Sequence, residues 1–298
     1  MHDGELTITE ATAARLIAQR FPALATAPLR TVHAPGTVNT IVRIGDDLAA
    51  RFPRLPESES VLEAEAAAMR ELAAASSVPT PRPYGLAAPA SDYPSAWSVQ
   101  TWIPGATAAH DSHAACASLA GDVAELIASL RAVDVGGRSF DGHGRGGDDL
   151  TAHDEWVEHC MGRSAHRLDP DRVRRLWHAL RDLPPCGPDM MSHRDLTPFN
   201  LLVADDRLVG VLDGGAFGPA DRALDLVAAW HLFDARRRLL VRERLDVRDA
   251  EWRRGAAWAL QQAMGLVWYY ELSNPAMSAL GLSTMHRLLG DDELAAVR

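Results

Sequence analysis

Three side chains between Met191 and Asp213 stand at spacings that suit the movement of a phosphoryl group. Asp195 lies five positions before Asn200, the apolar run Leu201-Leu202-Val203 follows, and a second apolar run from Val209 to Leu212 ends on Asp213, thirteen positions after Asn200. Phosphoryl transfer asks little covalent chemistry of a protein, but it needs a carboxylate at the attacking hydroxyl and oxygen ligands for Mg²⁺ beside the phosphates. Asp195 is placed to orient a substrate hydroxyl and accept its proton. Asn200 offers a neutral oxygen and Asp213 an ionised one, a pair suited to a hard cation bridging phosphate oxygens. Either aspartate alone would read as a cap or turn residue. Their order, their spacing and the strands beside them favour chemistry.

The triplet His193-Arg194-Asp195 with Asn200 also fits the kinase catalytic-loop order H-R-D-x-x-x-x-N. The runs 201–203 and 208–212 read as a small hairpin that brings Asn200 and Asp213 to one end. His193 is expected to order the loop, and Asp225 to hydrogen-bond it rather than bind metal. Upstream, Arg51 stands near the end of a predicted strand, where kinases place the lysine that holds nucleotide phosphates. Glu65, on the next helix, is its expected partner. Arginine keeps the charge and can take phosphate bidentately, although its fork is bulkier than an ammonium. Gly36, Thr37 and Asn39 lie in a loop whose backbone N–H groups could cover phosphates. Thr101 and Ile103 would present main-chain groups to a purine edge if the strand ending at Pro104-Gly105 is a hinge. Trp230, Asp234, Trp268, Tyr270 and Glu271, on two late helices, are the expected substrate contacts, with most of the aromatics also serving the core.

These residues need elements to position them. Thr7 or Thr9 can cap a helix carrying Ala13, Leu16 and Ile17, which ends near Phe21-Pro22. A hairpin follows, with strands 41–44 and 48–52 around the Gly45-Asp46-Asp47 turn. Residues 61–75 then read as a helix with Leu62, Ala66, Met69 and Ala73 on one face. Pro79, Pro81 and Pro83 mark a connector, 97–103 a strand, and Pro104-Gly105 a lobe boundary. Leu119, Val123, Leu126 and Leu130 describe an amphipathic helix, and the Gly-rich segment 136–147 reads as a mobile loop. Helices are predicted over 154–161, 171–183, 221–241 and 249–272, with one more in the tail from Met277.

The 298 residues and 47% hydrophobic content allow one large or two modest domains with well-filled cores. No run of eighteen apolar residues and no leader-like N-terminus is present, so a cytoplasmic protein without membrane association is expected. Cys116, Cys160 and Cys186 are odd in number and far apart, which suggests neither a disulfide framework nor a Cys-x-x-Cys metal site. A net charge of -10 speaks against nucleic acid and is compatible with a cationic partner. The chain contains no lysine, all 30 basic residues being arginine, which excludes lysine Schiff-base chemistry and a P-loop lysine.

With these residues in place, the chain resembles the aminoglycoside phosphotransferases, antibiotic kinases of the protein-kinase-like fold. The likeness runs from about Gly36 to Pro275. It is carried by Leu48-Ala49-Ala50-Arg51-Phe52-Pro53-Arg54, Trp97 to Gly105, the stretch 191–213, and Gly218-Pro219-Ala220-Asp221 through Asp225-Leu226. The resemblance implies an α+β, two-lobed fold, with a small β-rich nucleotide-binding lobe over 1–103 and a larger, mainly helical catalytic and substrate-binding lobe over 104–298. It implies Asp195 as catalytic base, Asn200 and Asp213 as Mg²⁺ ligands, Glu65 as ion-pair partner, and Thr101 with Ile103 at the base of ATP or GTP. The acceptor would be a hydroxyl of an aminoglycoside-like or other small-molecule antibiotic. A macrolide kinase is the alternative if the late aromatics line an apolar pocket, and a catalytically weak nucleotide-binding protein is the other. The sequence leaves the oligomeric state open. Three positions depart from the family: Arg51 replaces the usual lysine, Arg194 a frequent glycine, and Gly214 a common aromatic. The last departure is expected to loosen the packing around Asp213.

Overall fold

The computed structural model describes residues 5–32, 38–109 and 111–295. The chain divides into two compact units, one formed by 1–74, 79–104 and 212–216, the other by 75–78, 105–211 and 217–298.

The first unit is built on a five-stranded antiparallel sheet of β1 (Leu29–Val32), β2 (Asn39–Ile44), β3 (Leu48–Pro53), β4 (Pro83–Ala87) and β5 (Trp97–Thr101), in the order β1-β2-β3-β5-β4. The β2–β3 hairpin turns at Gly45, whose φ of +57° suits glycine. Helix α1 (Glu10–Arg20) is capped by Thr9, whose hydroxyl accepts from Thr12 N–H, and it buries Ala13, Leu16 and Ile17. These residues join Val42, Ala50, Phe52, Trp97 and Val99 in one core. Phe52 stacks on Trp97 with ring centroids 4.8 Å apart. Helix α2 (Glu59–Ala75) buries Leu62, Ala66, Met69 and Leu72.

Two strands of this unit escaped the sequence reading. β1 is too short to show its period, and β4 starts on Pro83 inside what reads as a proline connector. Proline is tolerated there because β4 is an edge strand with a register shift between Pro83 and Gly85.

The second unit contains a three-stranded antiparallel sheet of β6 (Ala106–Thr107), β8 (Leu201–Ala204) and β9 (Arg207–Val211), and a pair formed by β7 (Met190–Ser192) with β10 (Gly218–Ala220). The β8–β9 hairpin turns at Asp205 and Asp206, both at positive φ, and pairs Leu201 with Val211. Its helices are α3 (Ala117–Arg131), α4 (Asp154–Ser164), α5 (Pro170–Leu180), α6 (Val227–Leu232), α7 (Ala235–Arg244), α8 (Asp249–Tyr269), α9 (Pro275–Leu289) and α10 (Asp292–Ala295).

The single helix expected over 221–241 is instead a 3-10 turn followed by α6 and α7. The chain breaks at Phe233-Asp234 because the Asp234 carboxylate accepts from Arg237 N–H at 2.8 Å and starts a new helix. Helix α8 is the hub of the unit and is buried along most of its length. Helix α9 lies close against it: a Cβ added at Gly281 would stand 2.9 Å from both the Ala263 carbonyl oxygen and Leu266 Cβ.

Among the described residues, no helix is long and apolar enough to cross a membrane.

Candidate active site

Asp195 follows β7 in a loop that is shaped by Asp225. The Asp225 carboxylate accepts from Ser192 Oγ at 2.8 Å, from His193 N–H at 2.9 Å and from Arg194 N–H at 3.2 Å. It orders the loop, as expected from the sequence. The same bonds hold Arg194 at a φ of +72°, a left-handed conformation that glycine adopts without strain. The side chain compensates. Arg194 binds Asp141 through two hydrogen bonds of 2.9 and 3.0 Å, donates to the His143 carbonyl at 2.7 Å, and lies 4.8 Å over the Phe140 ring.

These contacts tie down the Gly-rich loop over 136–147 at several points. Phe140 N–H also donates to Asp189 at 2.8 Å, and the Gly146 carbonyl accepts from Asp221 N–H at 2.7 Å. The segment is a strap tied along the loop that carries Asp195. Hydrogen bonds from Arg194 hold the Asp141 carboxyl down from its ordinary 3.8 to about 2. The stability contributed by this pair is therefore complete above the ordinary value and disappears as pH falls through about 2. Asp141 is half-exposed, so the contribution is below about 1 kcal/mol. In urea unfolding, the deficit of Asp141→Asn should shrink between about pH 5 and pH 2; a deficit constant over that range would contradict the pairing.

The Asp195 carboxylate has three donors. Asn200 Nδ2 reaches Oδ2 at 2.9 Å and the Asp195 carbonyl at 2.9 Å, Gln262 Nε2 reaches Oδ1 at 2.7 Å, and Arg145 Nη2 reaches the same oxygen at 3.1 Å. With its amide nitrogen so engaged, Asn200 keeps Oδ1 for another partner. Neither Gln262 nor Arg145 figures in the sequence reading. Their signals were an amide pair, Gln261-Gln262, inside an apolar helical stripe, and an arginine set between Gly144 and Gly146.

In the first unit, Arg51 on β3 and Asp213 form an ion pair, with Arg51 Nη2 2.9 Å from Asp213 Oδ1. Asp213 is 52% exposed and sits at a φ of +59°. The expected direct pair between Arg51 and Glu65 does not form. Burial pushes the Glu65 carboxyl up, against the pull of Arg51 and with the help of Asp213. Glu65 stays within electrostatic reach of both.

Gly214 does not loosen the packing beside Asp213. A Cβ built on Gly214 would stand 2.1 Å from Leu72 Cδ2, and one on Gly215 would stand 3.1 Å from Glu65 Cγ. Helix α2 takes the space that an aromatic would fill. Gly214→Ala should therefore cost about 1–3 kcal/mol in urea unfolding; a neutral effect would mean that Leu72 yields freely.

Other expected residues are scattered. Asn39 opens β2 opposite Pro53, and Gly36 and Thr37 lie outside the described residues. Thr101 N–H donates to the Arg82 carbonyl at 2.9 Å, and among the described residues no hydrogen bond joins the Ile103 amide or carbonyl to the protein. Trp230 is wholly buried, so it packs in the core and cannot meet a substrate. Asp234 is used as a helix cap. Trp268 donates to Cys160 Sγ at 3.2 Å, Tyr270 caps α8, and Glu271 is bound by His166 and Arg167 at 3.0 and 2.8 Å. Trp268 does belong to an aromatic cluster with Trp156, His159 and Tyr269. Among the described residues, no group of three or more His, Cys, Asp or Glu side chains could hold a metal. Asn200, in the second unit, and Asp213, in the first, each carry a hard oxygen donor.

The model of the APH phosphotransferase enzyme family matches residues 30–258. An aminoglycoside 3'-phosphotransferase of Escherichia coli is 36% identical over 63 residues, which span 21% of this chain and 23% of that protein. Likeness in three dimensions extends much further. The GDP complex of aminoglycoside 2'-phosphotransferase-IIIa superposes with a TM-score of 0.68 at 16% identity, covering 95% of this chain and 99% of the other. Macrolide 2'-phosphotransferase MphH from Brachybacterium faecium gives a TM-score of 0.62 at 19% identity, covering 91% and 97%. The α+β, protein-kinase-like two-lobed fold expected from the sequence is the fold of this chain.

Proposed function

The chain belongs to the APH phosphotransferase enzyme family, and we propose that it moves the γ-phosphoryl group of ATP or GTP to a hydroxyl of a small-molecule antibiotic. The observation that carries this reading is the Asp195 carboxylate, fixed by Asn200 at 2.9 Å and Gln262 at 2.7 Å in a loop held by Asp225. A base held so firmly loses little freedom when it meets the acceptor hydroxyl. Residues 1–103 would serve the nucleotide, with Arg51 at the phosphates, Glu65 tuning Arg51, Asn39 at the phosphate loop, and Thr101 with Ile103 at the base. Residues 104–298 would supply the base and receive the acceptor. Asn200 and Asp213 would hold Mg²⁺, which when bound neutralises charge on the phosphates. A cytoplasmic location, where nucleoside triphosphates are made, fits this reading.

A second acceptor class, the macrolides, is favoured by one set of contacts. Arg145 stands 3.1 Å from Asp195, and Glu271 and Asp234 are already engaged by basic groups or backbone. Fewer free carboxylates remain for a polycation, while Trp156 and Tyr269 expose aromatic surface. Release of ADP or GDP, measured against a panel of aminoglycosides and macrolides, tests the proposal. Acceptor-dependent release supports it, and the responding class settles the acceptor. Nucleotide binding with no release for any acceptor would replace it with a weakly catalytic, nucleotide-binding protein.

A further inference from the structure

A buried chain of polar groups runs from Asp195 into the centre of the helical unit. Gln262 Nε2 donates to Asp195 Oδ1 at 2.7 Å, so its Oε1 faces the other way and accepts from His231 Nε2 at 3.1 Å. His231 Nδ1 lies 2.8 Å from Thr284 Oγ1. His231 and Thr284 are wholly buried and Gln262 is 6% exposed. An amide side chain can turn over and exchange its donor and acceptor ends, and a turned Gln262 would set an oxygen against the carboxylate. A proton on His231 Nε2 forbids that turn. On its other side the ring is held at Nδ1 by the Thr284 hydroxyl, which itself donates to the Leu280 carbonyl at 2.9 Å.

Lone pairs give the second half of the argument. A carboxylate offers four acceptor sites, two on each oxygen. On Asp195, Gln262 and Arg145 fill both sites of Oδ1, and Asn200 fills one site of Oδ2. One site on Oδ2 remains.

We propose that Gln262, oriented by His231 and Thr284, is a positioning residue that presents Asp195 Oδ2 as the oxygen receiving the acceptor proton. This rests on the phosphotransferase reading above. In the step, the acceptor O–H bond breaks and its proton passes to Oδ2. The acceptor oxygen forms the new bond to phosphorus, and the bond to the bridging oxygen breaks, with its electron pair leaving on the nucleoside diphosphate. Gln262 and His231 exchange no proton. Their work is to hold one carboxylate geometry, and a misplacement of about 1 Å at such a site can cost on the order of a hundredfold in rate.

A double-substitution cycle read on turnover, together with crystal structures of the variants, tests the proposal. Gln262→Met keeps the volume and removes both amide ends. It should lower kcat roughly ten- to hundredfold with the nucleotide KM within about threefold of the unsubstituted chain. His231→Phe should lower kcat less, and the double variant should match Gln262→Met alone, because without the amide the imidazole has nothing to orient. If His231→Phe does not fold, Thr284→Val takes its place in the cycle with the same expected non-additivity. The crystal structures read the hold directly and need no acceptor: the Asp195 carboxylate should leave its position in Gln262→Met. Effects that multiply, a kcat for Gln262→Met within about threefold of the unsubstituted chain, or an unmoved Asp195 would each overturn the proposal. Absence of transfer by the unsubstituted chain to any acceptor would overturn the phosphotransferase reading instead, while the position of Asp195 in Gln262→Met would still decide the hold.

Discussion

Asp195→Ala should lower turnover by on the order of 10²–10⁴-fold while leaving nucleotide affinity within about threefold. The size follows from the role: a positioned carboxylate that takes a proton as the phosphoryl group moves. The selectivity follows from location. Asp195 belongs to the helical unit, whereas Arg51, Glu65 and Asp213 belong to the unit built on the five-stranded sheet. Folding should also suffer a little, because Gln262 Nε2, 2.7 Å from the carboxylate and nearly buried, would lose its acceptor. An unsatisfied buried donor costs about 1–3 kcal/mol. Asp195→Asn, which can still accept from Gln262 through its amide oxygen, separates the two effects: the rate loss should persist and the stability loss should shrink. Steady-state kinetics, nucleotide titration and urea unfolding of both variants check this. Full activity in Asp195→Ala would remove the residue from the chemistry.

The largest loss of stability is expected from Arg254→Ala. Arg254 on α8 has no exposed side-chain surface, and its partner Asp221 is 2% exposed. The guanidinium pairs with Asp221, donates to the Leu183 carbonyl at 2.6 Å, and reaches the Gly147 and Asp148 carbonyls at the end of the strap. It therefore joins the segment after α5, the strap and the turn after β10 at one point. Without it the Asp221 carboxylate would stay buried with only Trp258 Nε1 at 2.8 Å and Ala223 N–H at 2.9 Å as donors. Breaking one side of a buried pair costs about 3–5 kcal/mol. Asp221→Asn in the same chain should recover part of this, since an amide is cheaper to bury than an unpaired carboxylate. Urea unfolding of the single and double variants measures both quantities. A cost below about 1 kcal/mol for Arg254→Ala would show that the pair is not a keystone of this unit.

What the sequence revealed and what it hid divide along a physical line. The Asp195–Asn200–Asp213 spacing is local, so the catalytic loop and the β8–β9 hairpin could be read directly. The same holds for α1, whose cap and apolar period lie within a dozen residues, and for the β2–β3 hairpin. Contacts between distant segments left no such trace. Gln262 and Arg145 meet Asp195 from 67 and 50 residues away. Arg51 pairs with Asp213, 162 residues away, rather than with the nearer Glu65.

The acceptor residues were the least legible. Trp230, Asp234 and Glu271 look chemically promising as letters, but they are a core ring, a helix cap and an ion-pair partner in the fold. The ties of the strap were hidden for a related reason. Its glycines signal turns, and nothing in composition shows that Arg194, itself strained at positive φ, would bind it down.

The most direct measurement is mass spectrometry of aminoglycosides and macrolides incubated with the chain, Mg²⁺ and either ATP or GTP. One added phosphoryl group on an antibiotic hydroxyl is expected, formed at a rate that Asp195→Ala lowers by at least about a hundredfold. Unmodified antibiotics throughout, or a product formed equally fast by Asp195→Ala, would contradict the assignment.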